Sequence, residues 1–310
     1  MKVLNLVTNP HAQFFERQVE TLGRMGVTGR TLSVPGTRQT TEAGTESRSP
    51  LDYVRFYPQV LRCSLDGYDV VHANYGLTAP AALAQPTRPV VLSLWGSDIL
   101  GGVGWLSRRC ARLADAVIVM TDEMAETLDP IDSHVIPHGV DLELFRPIPR
   151  AAARDCVGWD EETTQVLFPY SKGRPVKDYP RAESIVRAAR ERLDGPVKLR
   201  TLSGIPHEMM PLYMNAADAL LLTSKHEGSP NSVKEAMACN LPVVSADVGD
   251  VRDRLAGVSN SFVRRTDAEL VASLVAVLER RSPSNGRRHV EPLGLERMGE
   301  RILSVYESVR

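Results

Sequence analysis

Short apolar runs alternate with amphipathic stretches along almost the whole of this 310-residue chain, and that alternation leaves little freedom of fold class. In the first half, residues 3–7, 31–34, 68–72, 89–94, 116–120 and 134–136 read as strands. Between them, 14–25 carries Phe15, Val19, Leu22 and Met25 on one side of a helix, and 51–65 returns to helical spacing. The second half repeats the pattern, with strands at 166–169, 197–202, 219–223 and 242–245 and helices at 181–193 and 206–214. Thr266 and Glu269 form a capping-box pattern that opens a further helix through Leu278. Leu295, Met298, Ile302, Val305, Tyr306 and Val309 mark an amphipathic helix at the C-terminus. Strand–helix alternation at this spacing builds βαβ units on a parallel sheet.

A chain of this length has room for two such sheets, because single cores rarely grow beyond about 250–300 residues. Residues 145–160, with Pro147, Pro149 and mixed charge, read as a linker. The expected division is a first domain of 1–145 joined by the C-terminal helix 293–310, and a second domain of 146–292. Doubly wound sheets take ligands at the carboxyl ends of their strands, so two of them facing each other would define a cleft. The polar, Gly/Ser/Thr-rich stretch 36–50 is expected to be a mobile loop.

A net charge of −1 gives no sign of a nucleic-acid partner. Cys63, Cys110, Cys156 and Cys239 form no CxxC pair, which points to free thiols in a reducing cytoplasm and to no zinc site. The apolar run at the N-terminus is too short for a signal peptide, and no stretch approaches the roughly 20 apolar residues of a membrane span. A cytoplasmic location is the corresponding expectation. Arg108, Arg109 and Arg112, with Leu106, Cys110 and Leu113, make a small basic amphipathic helix. That pattern fits a solvated face and also fits docking on anionic lipid at the cytoplasmic face of a membrane.

The richest motif is Glu227-Gly228-Ser229-Pro230-Asn231-Ser232-Val233-Lys234-Glu235, two carboxylates separated by a turn and the start of an apolar helix. A helix N-terminus offers unpaired amides and a partial positive charge, a natural seat for phosphate. Carboxylates on either side suit a ligand with hydroxyls flanking its phosphates, such as a nucleotide-sugar. The same residues also match a capping box, with Glu235 satisfying the amide of Ser232, so the motif alone leaves both readings open.

Residues 227–244 resemble the signature of retaining GT-B glycosyltransferases of the glycosyltransferase family 4 type. Further stretches match in order: Val135-Ile136-Pro137-His138-Gly139-Val140-Asp141, Tyr213-Met214-Asn215-Ala216-Ala217-Asp218, Ser93-Leu94-Trp95-Gly96-Ser97-Asp98 and Asp69-Val70-Val71-His72. The resemblance implies an α/β GT-B fold: two facing Rossmann-like doubly wound domains, with the C-terminal helix crossing back to the first. It implies a nucleoside-diphosphate sugar held mainly by the second domain, a carbohydrate or lipid-linked acceptor, no cofactor and no metal.

By this resemblance Glu235 would accept from the ribose hydroxyls and Glu227 would hold hydroxyls of the donor sugar. Gly228, Ser229, Asn231, Ser232 and Val233 would form the donor seat, the last three through their amides. Lys177 matches the family lysine that meets the leaving diphosphate, where fixed cations are needed as negative charge develops. Tyr170-Ser171 stands where the family has Gly-Arg, so Arg174 is the substitute second cation, with Lys172 as its rival. Ile205 sits where the family reads the nucleobase through backbone groups, and Gly96 would permit close approach to the donor.

The first domain departs from the family pattern. Asn9-Pro10-His11-Ala12 replaces the usual glycine pair, and Trp95 stands where many members carry a histidine. Trp95 would stack on a sugar or simply pack. Asp98 would face the acceptor or cap the next helix. His72 and His138 complete the acceptor-side candidates. The expected function is a retaining transfer of a hexosyl group to an acceptor hydroxyl in glycan or polysaccharide assembly. The alternatives are a nucleotide-sugar epimerase on the same fold and a donor-binding protein without turnover.

Overall fold

The structure, a computed structural model, describes residues 1–36, 40, 41, 44, 45, 48–87 and 89–310; seven of the fifteen residues of the loop expected at 36–50 lie outside them. The chain divides into two units, Met1–His138 with Glu296–Arg310, and Gly139–Leu295.

In chain order, the first unit contains β1 (Lys2–Val7), α1 (Gln13–Arg24), β2 (Thr28–Ser33), the short β3 (Thr40–Thr41) and β4 (Gly44–Thr45), and α2 (Pro50–Ser64). Then come β5 (Val70–Asn74), α3 (Ala79–Ala84), β6 (Val90–Ser93), α4 (Gly104–Ala111), β7 (Ala116–Val119), α5 (Asp122–Glu126) and β8 (His134–Val135). The main sheet runs β2-β1-β5-β6-β7-β8 and is parallel throughout. Its strands are buried on both faces and read as continuous apolar runs for that reason, with Val3, Leu4, Leu6, Val7, Val70, Val71, Val90, Val91 and Leu92 all nearly inaccessible.

The second unit contains α6 (Arg150–Val157), β9 (Thr164–Phe168), α7 (Tyr179–Arg190), β10 (Val197–Thr201), α8 (Met210–Ala216) and β11 (Ala219–Leu222). These are followed by α9 (Asn231–Ala238), β12 (Val243–Ala246), α10 (Val251–Arg254), β13 (Phe262–Arg264), α11 (Asp267–Arg280) and α12 (Gly286–Val290). Its parallel sheet runs β10-β9-β11-β12-β13, so the winding reverses between β9 and β11. That reversal sends the connections after the two strands in opposite directions, the kind of place at which doubly wound sheets take ligands. The capping box read at Thr266 forms: Thr266 Oγ1 accepts from the amide of Glu269, and the Glu269 carboxylate accepts from the amide of Thr266.

Two expectations are corrected. The division falls after His138, not after 145, because Val140 and Phe145 lie in the core of the second unit and Val140 pairs with Leu293 and Leu295 through the backbone. The 145–160 stretch is not a linker but contains α6. Arg154 is 3% exposed there, and its guanidinium donates to Asp218, to the carbonyl of Ala216 and to that of Glu161.

The last helix, α13 (Leu295–Val309), lies almost entirely in the first unit. Its Tyr306 hydroxyl meets His72 Nδ1 at 2.6 Å, and His72 Nε2 meets Ser93 Oγ at 2.7 Å. His72 is fully buried, and burial drives its pKa down to about 3. It ties α13 to β5 and β6 and cannot reach an acceptor, which corrects its reading as an acceptor-side residue.

The unfolded histidine titrates near 6.5, so protons favour the unfolded chain below that value. The contribution of His72 to stability is whole above pH 6.5 and declines as the pH falls toward 3. His72→Gln should flatten that decline in urea unfolding followed across this pH range. Tyr306→Phe, which strands one ring nitrogen, should cost about 1–3 kcal/mol at neutral pH.

Candidate functional site

At the carboxyl ends of the strands where the winding of the second sheet reverses lie the loop after β9, residues 169–178, and the loop after β11, residues 223–230. The two loops are stitched together. The Lys225 amide donates to the Val176 carbonyl at 2.9 Å, and Thr223 Oγ1 donates to the carbonyls of Lys177 and Asp178 at 3.0 and 3.1 Å. Asp178 adopts a left-handed conformation, φ 54°, which turns the chain from Lys177 into α7. Lys177 is thereby only 5% exposed, although it is a lysine in a loop.

A buried ammonium needs partners. Lys177 Nζ is ion-paired and hydrogen-bonded to Glu227 Oε1, and it lies 3.9 Å from the centroid of the Tyr170 ring. Burial lowers the Lys177 pKa while Glu227 pulls it back up. Ser224 Oγ donates to the same Glu227 oxygen at 2.6 Å, and Oε2 accepts from no described residue. Arg174 is exposed, with its guanidinium 5.5 Å from the Tyr170 ring. Its rival Lys172 lies over Tyr179 instead, so Arg174 is the cation that shares the Tyr170 ring with Lys177.

Tyr170 also joins this basic loop to α9, because its hydroxyl is hydrogen-bonded to Ser232 Oγ. Burial, with Glu227 nearby, pushes its pKa far up and keeps the phenol protonated. The helix α9 begins at Asn231, with Pro230 as its N-cap and no capping side chain. Glu235 is therefore the fifth helical residue, and the capping-box reading does not hold. Glu235 Oε1 lies 3.0 Å from His207 Nε2, its side chain 14% exposed.

At the start of α9 the Val233 amide donates to the Pro230 carbonyl at 3.1 Å, which removes it from the expected phosphate donors. Among the described residues, nothing accepts from the amides of Asn231 and Ser232. Ser229 Oγ and Asn231 Oδ1 are buried there without a hydrogen-bond partner, an arrangement that a polar ligand would relieve. The Gly228 carbonyl is occupied by the Asp250 amide at 3.0 Å. Ile205 packs against the core beside this end of the sheet.

Sequence reasoning did not find His207, whose ring lies tilted against Phe145 at 5.2 Å between centroids and which orients Glu235. The signal lay two residues beyond Ile205, in the same strand-to-helix turn. Ser224 was also missed, although it lies three residues before Glu227.

In the first unit the acceptor-side candidates are largely enclosed. Asp98 is inaccessible, and its carboxylate accepts from the amides of Gly76, Trp95 and Gly96 at 2.9 Å each. It clamps the loop after β5 to the loop after β6, so it neither faces an acceptor nor caps α4, whose N-cap is Val103. Burial raises its pKa against the pull of these amides. Gly96 holds φ 123° in this clamp. The Trp95 ring packs against Phe14 at 4.8 Å, and against Tyr75 and His138 at 5.7 Å. His138 is 7% exposed and stacks on Phe14 at 4.1 Å.

The Lys177–Glu227 pair has a distinctive signature. Glu227→Ala leaves a buried cation unpaired and should cost about 3–5 kcal/mol in denaturant unfolding. The double variant Lys177→Met with Glu227→Gln, which removes both charges, should recover most of that loss. Additive losses would show the two side chains to be independent.

Family models match two stretches: Glycosyltransferase Family 4 over residues 9–144 and Glycosyl transferases group 1 over residues 177–280. A D-inositol 3-phosphate glycosyltransferase of Geodermatophilus obscurus is 28% identical over 301 residues, covering 77% of this chain and 66% of that protein. The chain thus spans about two thirds of the length of this curated relative. Among solved structures, sucrose-phosphate synthase from Thermosynechococcus elongatus superposes with a TM-score of 0.76 at 16% identity, covering 99% of both chains. Anabaena Alr3699/HepE, solved in complex with UDP and glucose, gives a TM-score of 0.71 at 16% identity over all of both chains. At such identities these structures speak to the fold, which is GT-B. With both family models matched in order on the two units, the chain belongs to the glycosyltransferase family 4 type of GT-B proteins.

Proposed function

We propose that this protein is a retaining glycosyltransferase that moves a hexosyl group from a nucleoside-diphosphate sugar to an acceptor hydroxyl. The observation that carries this reading is the junction of a buried lysine, a carboxylate and the open amide end of α9 through one tyrosine. The diphosphate would sit on the amides of Asn231 and Ser232, with Lys177 and Arg174 beside it. Ser229 and Asn231 would then gain partners for their buried polar atoms. The ribose would meet Glu235, held in place by His207, and the sugar would meet the open oxygen of Glu227. The binding of UDP and glucose by a protein of the same fold supports a nucleoside-diphosphate donor of this kind.

The chemistry follows from charge. As the sugar departs, negative charge grows on the diphosphate, and fixed positive groups stabilise that charge more than the ground state. Lys177 is positioned before the donor arrives, because Tyr170 and Glu227 already hold it. Phosphate would share the ammonium with Glu227, and that carboxylate would turn its remaining acceptor capacity to the sugar. Burial disfavours the Lys177 cation, and an incoming polyanion restores it. In the reading we favour, the leaving phosphate takes the acceptor proton on the same face, so no protein nucleophile is required.

A thermal-shift screen against UDP, GDP, ADP and their sugars should identify one nucleotide that stabilises the protein. At about 100 times its Kd, a ligand contributes roughly 2.7 kcal/mol. Lys177→Ala should lower kcat by about two to three orders of magnitude. An effect under about threefold would exclude it from charge stabilisation. Product analysis separates the alternatives: donor conversion without acceptor signals an epimerase, and stabilisation without turnover signals a binding protein.

A further inference from the structure

We propose that the first unit docks on an anionic phospholipid bilayer through the outer faces of α2 and α4. The inference stands apart from the donor site and does not depend on the reading above.

The helix α2 packs on the sheet with Phe56, Val60 and Cys63, all buried. Leu51, Val54, Leu61 and the C-cap residue Leu65 lie on its opposite side, 63, 62, 49 and 70% exposed. Their spacing of three, seven and four residues keeps them in one stripe pointing away from the core. The helix α4 repeats the arrangement, burying Ser107, Cys110 and Ala111 and exposing Trp105 to 61%. Both helices pack against α3, and Tyr57 of α2 lies close enough to Cys110 of α4 to interact electrostatically with it. The stripe and the Trp105 face therefore share one side of the unit.

Scattered exposed apolar residues are ordinary, but a cluster is not. Of the nine exposed large apolar side chains among the described residues, eight lie on α2 with its C-cap or between residues 100 and 113.

Charge selects the occupant. Arg108, Arg109 and Arg112 are exposed on α4, and no Asp or Glu occurs between residues 99 and 114. Arg108 is partly engaged, its Nε donating to the Thr127 carbonyl at 3.1 Å. On α2, Arg62 is exposed beside the stripe. Asp52 is turned to the helix start, where its carboxylate accepts from Ser49, and Arg55 lies 3.9 Å from it. A second copy seated on this face would set these arginines against their own counterparts, with the carboxylates Asp52 and Asp66 only at the two ends of α2. Anionic headgroups complement them. Leucines and a tryptophan can enter the interface while arginines stay at headgroup level, which is how amphipathic surfaces lie on membranes. Among the described residues no helix is long and apolar enough to cross a membrane, so attachment at the surface is the mode this face supports.

The test is co-sedimentation of the full chain with vesicles of phosphatidylcholine alone, or with about one third phosphatidylglycerol. Binding to the anionic vesicles should exceed binding to the neutral ones by about tenfold or more and should weaken with salt. Tryptophan emission should shift to the blue with anionic vesicles, and Trp105→Phe should remove most of the shift. Leu61→Glu with Leu65→Glu, and separately Arg109→Glu with Arg112→Glu, should each reduce partitioning by about tenfold or more. Their circular dichroism, melting temperature and nucleotide-induced stabilisation should be unchanged, because these side chains are exposed. No binding to anionic vesicles, equal binding to both kinds, or binding indifferent to the leucine variants would overturn the proposal. So would a concentration-dependent dimer abolished by Leu61→Glu with Leu65→Glu, which would assign the face to a second copy.

Discussion

The carboxyl end of the second sheet is organised around one buried ammonium. Lysine is a surface residue by default, and withdrawing it from water is costly unless a counter-charge and a soft neighbour replace the lost hydration. Glu227 supplies the first and the Tyr170 ring the second. Much of the local geometry serves that arrangement. Asp178 turns the chain with a positive φ, Thr223 fixes the carbonyls on either side of the turn, and the Val176–Lys225 bond keeps the two loops in register. Because protein groups fix Lys177 in place, little reorganisation remains when charge appears nearby, and this is the condition under which a fixed cation stabilises developing charge most.

The two units use one architecture for different ends. At the carboxyl edge of the first sheet, Phe14, Tyr75, Trp95 and His138 pack face and edge on one another, and Asp98 spends its carboxylate on three backbone amides. That edge is packed with aromatic rings, and among the described residues Trp95 Nε1 is buried in it without a hydrogen-bond partner. At the corresponding edge of the second sheet, Ser229 Oγ and Asn231 Oδ1 are buried without a hydrogen-bond partner among the described residues. Unsatisfied buried polar atoms are destabilising, so two of them within three residues at one helix end call for a reason.

Periodicity made the sheets legible, because a parallel strand buried on both faces is apolar along its whole length and the helices between show one apolar side. The family motif marked Glu227, Glu235 and Lys177, and the structure pairs the first with the last. What stayed hidden depended on partners distant in sequence. The α6 segment looks like a linker because its prolines and charges are visible locally, whereas Asp218, which lets Arg154 be buried, is far along the chain. His72 and Asp98 looked available for chemistry because their burial is set by Tyr306 and by amides of two separate loops. The Ser232–Glu235 spacing imitates a capping box, but Pro230 starts the helix earlier than that pattern needs. Proline fits the start of a helix because it gives up no intrahelical donor there.

That early start rests in turn on a glycine well downstream. Gly249 holds φ +51°, and a Cβ built on it would lie 2.1 Å from the Gly228 carbonyl oxygen, so no larger residue fits without moving one loop. The close approach lets the Asp250 amide hold that carbonyl, and with it the turn that leads through Pro230 into α9. Beneath the helix, Lys234 is almost inaccessible, and burial lowers its pKa to about 8 despite the neighbouring Asp250. The aim of the α9 amides is therefore set from behind by the 247–250 turn and from the front by Tyr170. A substitution at Gly249 would press on the carbonyls of Gly228 and Glu227 and so shift the turn that leads into α9. For this reason the spacing of the two carboxylates cannot by itself specify the site.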